Sequence, residues 1–151
     1  MGRNKAKPTM VVIPGSFNPL HAGHIDMIYK VCHLADYVCL AVGQNPDKKT
    51  GSDLSLINKE FQDGGDWIKV KEFAGSFPLF LETMEQGYDI VAVVRGLRNT
   101  NDFINDQALL YNYEDLGLNQ LVTPVLFVMA DRERVHISST SERAKAGLER
   151  K

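Results

Sequence analysis

The sequence predicts a doubly wound α/β domain built on a parallel sheet of about five strands, and three observations carry that reading. Short apolar runs alternate with stretches of helical periodicity from end to end, with no internal repeat. One run, Tyr37-Val38-Cys39-Leu40-Ala41-Val42, is almost continuously apolar, the pattern of a strand buried on both faces. Another, Met10-Val11-Val12-Ile13, passes into a glycine-punctuated turn, Pro14 to His24, that opens directly into helical spacing at Ile25, Met27, Ile28, Val31 and Cys32.

The first strand at residues 10–13 and a helix from about Gly23 to Leu34 lead into the strand at 37–42. A turn-rich loop, residues 43–52, follows at its C-terminal end. Apolar positions at Leu54, Leu56, Ile57 and Phe61 predict a short helix ended by Gly64-Gly65. Trp67-Ile68-Lys69-Val70, with Phe73, predicts a third strand. Phe77, Leu79, Phe80, Leu81 and Met84 then mark a helix with Pro78 in its first turn and a stop at Gly87. Asp89-Ile90-Val91-Ala92-Val93-Val94 is the clearest strand and delivers Arg95 to Asn99 at its end. A helix is expected from about Asn101 to Leu116, a last strand at 125–129, and a closing helix capped at Ser138-Ser139-Thr140.

With 151 residues, 44% of them hydrophobic, the chain has the size of one ordinary domain and enough apolar material for a full core. Residues 1–8 are expected to form a flexible tip and residues 9–151 the domain. The formal charge of −2 argues against a broad electrostatic footprint for nucleic acid or anionic lipid. The basic start is followed by no signal-peptide core, and residues 10–14 are too short to span a bilayer. Cys32 and Cys39 fall in helical and strand patterns without a Cys-x-x-Cys, so both are expected to be reduced and buried in a cytoplasmic protein.

Four of the expected loops leave C-terminal strand ends, and each carries groups suited to phosphate. Ser16, His21 and His24 come from the first, Lys48 and Lys49 from the second, Arg95 and Arg98 from the fourth, and Ser138, Ser139 and Thr140 from the last. Each set alone has an ordinary reading as a solvated loop, a surface arginine pair or a helix cap. Together they point to a phosphorylated ligand at the edge where open α/β sheets bind. His21 and His24 could share a helix face as metal ligands, but no third Cys, Asp or Glu stands in that loop, and no metal site is read there. His33 and His136 read as structural, and Tyr111 and Tyr113 as core or interface residues.

His21-Ala22-Gly23-His24 resembles the His-x-Gly-His signature of the nucleotidyltransferase superfamily. The wider set narrows the resemblance. Pro14-Gly15-Ser16-Phe17-Asn18-Pro19, Gly23-His24-Ile25-Asp26, Asn45-Pro46-Asp47-Lys48-Lys49, Arg95-Gly96-Leu97-Arg98 with Asp102-Phe103, and His136-Ile137-Ser138-Ser139-Thr140 fall in the order and approximate spacing of phosphopantetheine adenylyltransferases. This resemblance implies a Rossmann-like fold and transfer of an adenylyl group from ATP to 4′-phosphopantetheine, giving dephospho-coenzyme A and pyrophosphate in coenzyme A biosynthesis. It implies Mg2+ held mainly by ATP phosphates, and a cytoplasmic homohexamer with no nucleic acid or membrane partner. It also implies that His24, Lys48 and Arg98 are catalytic, and that Ser16, Lys48 and Arg95 hold the acceptor phosphate. The implied ATP contacts are Ser16, Phe17, His21, His24, Gly96, Leu97, Arg98, Asp106, Ile137, Ser138, Ser139 and Thr140.

The chain departs from that family at several positions. Ser16 and His21 stand where it has threonine, Asn18 where it has aspartate, and Asp106 where it has glutamate. Leu54-Ser55-Leu56-Ile57 replaces its Ser-Leu-Glu-Glu-Arg. His21 and the Ile137-Ser138-Ser139-Thr140 run with Arg143 also suit enzymes acting on nicotinamide or nicotinate mononucleotide. Three readings stay open: adenylyl transfer to phosphopantetheine, transfer to a mononucleotide or from CTP, and nucleotide binding without turnover. The chemistry needs no covalent intermediate, because the acceptor phosphate is already an oxyanion at neutral pH. It needs fixed positive donors around the α-phosphate and the leaving pyrophosphate.

Overall fold

A parallel strand in the middle of a sheet must present apolar side chains to both faces, and the first two apolar runs do so. In the computed structural model, which describes residues 7–17, 20–44, 59, 66–105, 107 and 123–130, they form β1 (Thr9–Gly15) and β2 (Tyr37–Gln44). With β3 (Ile68–Ala74), β4 (Asp89–Leu97) and β5 (Val125–Met129) they make one five-stranded sheet in the order β3-β2-β1-β4-β5, parallel throughout. Helix α1 (Ala22–Val31), continued by a 3-10 turn at Cys32–Leu34, links β1 to β2, and α2 (Phe77–Glu85) links β3 to β4. The expected doubly wound sheet is therefore present, with β1 at the point where the strand order reverses.

Alternation along the central strands sorts the core into two layers. Val11, Ile13, Val38, Leu40 and Val42 meet Ile28 and Val31 of α1. Met10, Val12, Cys39 and Ala41 meet Phe77, Leu81 and Met84 of α2. Pairing between β1 and β4 slips by one residue, Met10 facing Ile90 and Val11 facing Ala92. Val91 and Ala92 consequently pack on the same α1 side. Ser76 caps α2 by accepting from the Leu79 amide at 3.4 Å. Ahead of β1, Lys7 already donates to the Glu85 carbonyl at 2.7 Å, and the Pro8 carbonyl accepts from the Asp89 amide at 2.9 Å.

Some elements differ from expectation. β4 continues through Leu97, so Arg95, Gly96 and Leu97 belong to the strand; they pair with Phe127, Val128 and Met129 of β5. Trp67 sits in a turn before β3, where its carbonyl accepts from the Val38 amide at 2.9 Å. Cys39 is buried as expected, but Cys32, in the 3-10 turn, is only partly buried against the α1 core layer; its thiol donates to the Tyr29 carbonyl at 3.2 Å. His33 is exposed on that same turn. Residues 100–105 are helical, as expected for the start of the segment after Asn101. The expected loop at Lys48 and Lys49, most of the helix at 54–62, Tyr111, Tyr113 and the closing segment from His136 lie outside the described residues. No helix among the described residues is long and apolar enough to cross a membrane.

Leu40 is fully buried between β2 and α1. Leu40→Ala should lower stability by about 2–5 kcal/mol, read as a fall in the urea midpoint with an unchanged slope.

Candidate active site

Helix α1 starts with a pair of imidazoles in place of the usual serine and glutamate. His21 is the N-cap, in extended backbone, and its Nδ1 accepts from the Gly23 amide at 3.1 Å. His24, at the third helical position, returns the bond: its Nδ1 accepts from the His21 amide at 3.2 Å. Both Nδ1 atoms are therefore acceptors, and each neutral ring carries its proton on Nε2. The two rings stack with centroids 3.7 Å apart. Gly23 makes room for this, since a Cβ there would stand 3.0 Å from the His21 ring. Burial, and then the neighbouring His21, lower the His24 pKa from the ordinary 6.5 to about 3. At neutral pH His24 thus offers an uncharged Nε2–H donor. No acidic residue occupies the first turn of α1, so the positive end of its dipole is left for an anion.

This helix start opens on a cavity of about 330 Å3 at the C-terminal ends of β1, β4 and β5. Gly15, Phe17, His21 and His24 line one side, Gly96, Leu97 and Arg98 another, and Val128 to Ala130 close the third. Arg95 is anchored at the rim by a 2.9 Å bond from Nη1 to the Pro14 carbonyl, which ties the end of β4 to the end of β1. Arg98 is gripped by Asp102: its backbone amide and Nε donate to Oδ2 at 2.9 and 3.1 Å, and Nη2 donates to Oδ1 at 3.1 Å. Burial alone raises the Asp102 pKa, but hydrogen bonds and charge from Arg98 outweigh it and hold the carboxylate ionised, below its usual range. Asn99 caps this turn by accepting from the Asp102 amide at 3.0 Å. Gly96 lets Met27 of α1 pack against the strand, for a Cβ there would lie 3.2 Å from its sulfur. Asp26 faces the cavity but is paired with Lys30 at 3.0 Å.

A neutral imidazole donor, two arginines and a helix N-terminus without an acidic residue, all at a sheet switch point, have the chemistry that suits a phosphorylated ligand. Known proteins agree with this geometry. The cytidylyltransferase-like family matches residues 12–145. A phosphopantetheine adenylyltransferase from Christiangramia forsetii is 32% identical over 133 residues, covering 85% of this chain and 82% of the relative. The chain belongs to the phosphopantetheine adenylyltransferase family. A second member, from Aquifex aeolicus, is 33% identical over 131 residues, covering 86% of this chain and 78% of its own. The solved structure of a nicotinate-nucleotide adenylyltransferase from Vibrio parahaemolyticus superposes with a TM-score of 0.60 over 90% of this chain and 84% of that one. At 21% identity it shows likeness of fold alone.

Of the contacts that the phosphopantetheine adenylyltransferase resemblance implies, Phe17, His21, His24, Arg95, Gly96, Leu97 and Arg98 converge on the one cavity. Ser16 is exposed beside it and does not line it, while its neighbours Gly15 and Phe17 do. Phe17 is a wall residue with a ring only 1% exposed. Lys48, Asp106, Ile137, Ser138, Ser139 and Thr140 lie outside the described residues. Sequence reasoning gave Asp102 no role of its own; the signal was its i+4 spacing from Arg98 at a helix start. Met27 and Asn105 were missed for want of any such signal.

The lowered His24 pKa has a definite sign for stability. A histidine whose folded pKa lies below its unfolded value supports the fold above about pH 6.5 and costs stability as the pH falls from there towards 3. His24 should therefore contribute an acid-side loss approaching about 1.4 kcal/mol per pH unit in that window. His24→Gln, which can still accept the cap bond, should flatten the dependence of the urea midpoint on pH below 6.5. Equal slopes for both proteins would assign the loss to other groups.

Proposed function

We propose that this chain transfers the adenylyl group of ATP to 4′-phosphopantetheine, giving dephospho-coenzyme A and pyrophosphate. The observation that carries the reading is the convergence of His24 with Arg95 to Arg98 on one cavity at the β1/β4 switch point. An oxygen of the acceptor phosphate attacks the α-phosphorus, the bond from that phosphorus to the α,β-bridging oxygen breaks, and the electron pair leaves with pyrophosphate. No proton need be removed from the nucleophile, so a neutral His24 suits this chemistry, in which Nε2–H donates to a non-bridging α-phosphate oxygen as charge builds there. Arg95 at the sheet edge attracts the acceptor phosphate. Arg98 keeps three of its five N–H donors outside the Asp102 fork for the ATP phosphates. The roles of Ser16, Lys48, Asp106 and Ile137 to Thr140 belong to the same proposal.

Magnesium fits this arrangement as a companion of the triphosphate. The carboxylates that line the cavity, Asp26 and Asp102, are each engaged by a cation, and among the described residues no group of three or more acidic, histidine or cysteine side chains is placed for a metal. Mg2+ riding on ATP oxygens would neutralise charge on the leaving pyrophosphate. The proposal extends to a cytoplasmic homo-oligomer, hexameric by resemblance. His21 is what favours the rival acceptors, nicotinamide and nicotinate mononucleotide, because it lines the cavity where the family resemblance has threonine.

Pyrophosphate release with ATP, Mg2+ and each acceptor in turn tests the assignment. Release with phosphopantetheine alone is expected; release with a mononucleotide instead would transfer the activity to that acceptor. Removing the Nε2–H donor in His24→Ala should lower kcat about 10²- to 10³-fold with little change in ATP affinity. Wild-type turnover in the folded variant would remove His24 from the chemical step.

A further inference from the structure

We propose that Phe17 is a positioning residue for His24, its buried ring a wedge that sets where the imidazole stands towards the reacting phosphate. This inference rests on the adenylyl-transfer reading of the same site. Phe17 is the one non-glycine residue with positive φ, at 49°, among the described residues. Such a backbone conformation is unfavourable for a side chain of this size and persists only where the surroundings enforce it. Its ring is 1% exposed and meets the His24 ring edge-on, with centroids 4.9 Å apart and planes at 61°. Gly15 completes the seat, because a Cβ there would lie 3.2 Å from Cε2 and 3.3 Å from Cζ of that ring.

Filling the core does not account for this arrangement. Val11 and Ile13 reach the same layer from ordinary strand geometry, and an aromatic residue placed there would need no left-handed turn. The strained turn, the missing side chain at position 15 and the buried ring all serve one result, an inert surface against His24. The stacked His21 ring contacts it as well, and Arg95, Arg98, Asp26 and Asp102 are the charged groups sharing the cavity. Held by two rings and the cap bond at Nδ1, the imidazole has one Nε2–H direction instead of several.

Phe17→Leu and Gly15→Ala reach this wedge by different routes, one removing the ring and the other displacing it. Each should lower kcat about tenfold while leaving KM for ATP within about twofold, since misplacement of a donor acts on the transition state. The double variant should be no worse than Phe17→Leu alone, because the alanine methyl acts through the ring. Ring-proton NMR gives a readout independent of turnover. His24 should not titrate between about pH 5 and 8 in the wild type and should move into that range in both variants as water reaches it. Unchanged kcat with an unchanged His24 titration would overturn the proposal, as would additive losses in the double variant. Should the wild type release no pyrophosphate with any acceptor, the adenylyl-transfer reading falls. The NMR titration then decides the wedge alone, a moved His24 supporting it and an unmoved one overturning it.

Discussion

The cap of α1, in which His21 Nδ1 accepts from the Gly23 amide and His24 Nδ1 from the His21 amide, is the constraint on which the rest of the site depends. It starts α1 at one residue, and the start sets the phase of the helix: Ile28 and Val31 turn onto the sheet, and Met27 lies against Gly96 of β4. The same two bonds consume both Nδ1 atoms, so the cap that begins the helix also leaves Nε2–H as the donor of each ring. A serine and glutamate at these positions would cap the helix equally well, but the glutamate would place a negative charge at the mouth of a phosphate site. Imidazole satisfies the amides without that charge.

The sheet supplies the other half of the constraint. Because β1 is central and buried on both faces, the turn that follows it opens between the chain leaving for β2 and the later return to β4. The described strand ends leave a crevice at that point. The Arg95 bond to the Pro14 carbonyl ties the two strand ends together beside it. Packing and chemistry therefore share residues here: Phe17 is in the core layer and in the cavity wall at once.

Most of the fold was legible because the apolar runs are short, continuous and separated by helical spacing, and every described strand falls on one of them. Boundaries were harder. β4 reads through Arg95 and Gly96 because β5 pairs with their backbones, a tertiary fact that side-chain pattern does not carry. Cys32 looked buried from its place in the helical phase, yet a tighter 3-10 turn begins at that residue and leaves it only partly buried against the core. In the site, residue types that suit phosphate were visible from sequence alone, whereas their supports were not. The strained backbone at Phe17, the fork between Arg98 and Asp102 and the missing Cβ at Gly15 depend on geometry, and Ser16 shows that adjacency in sequence to lining residues does not ensure a place in the wall.

The two arginines illustrate how similar residues are given different work. Arg95 is anchored at the strand end by its bond to the Pro14 carbonyl. Arg98 is paired with an ionised carboxylate that opposes an incoming polyanion, and with side chains 37% and 20% exposed the pair adds at most about 1 kcal/mol to stability. Neither affinity nor stability therefore explains Asp102. What the fork does is fix a plane: by taking Nε and one edge of Nη2, it leaves the opposite edge of the guanidinium, with N–H groups on both Nη atoms, as a preset pair of donors. Lysine at position 98 would keep the charge and lose that geometry. At Arg98 part of the cation's attraction is thus exchanged for direction.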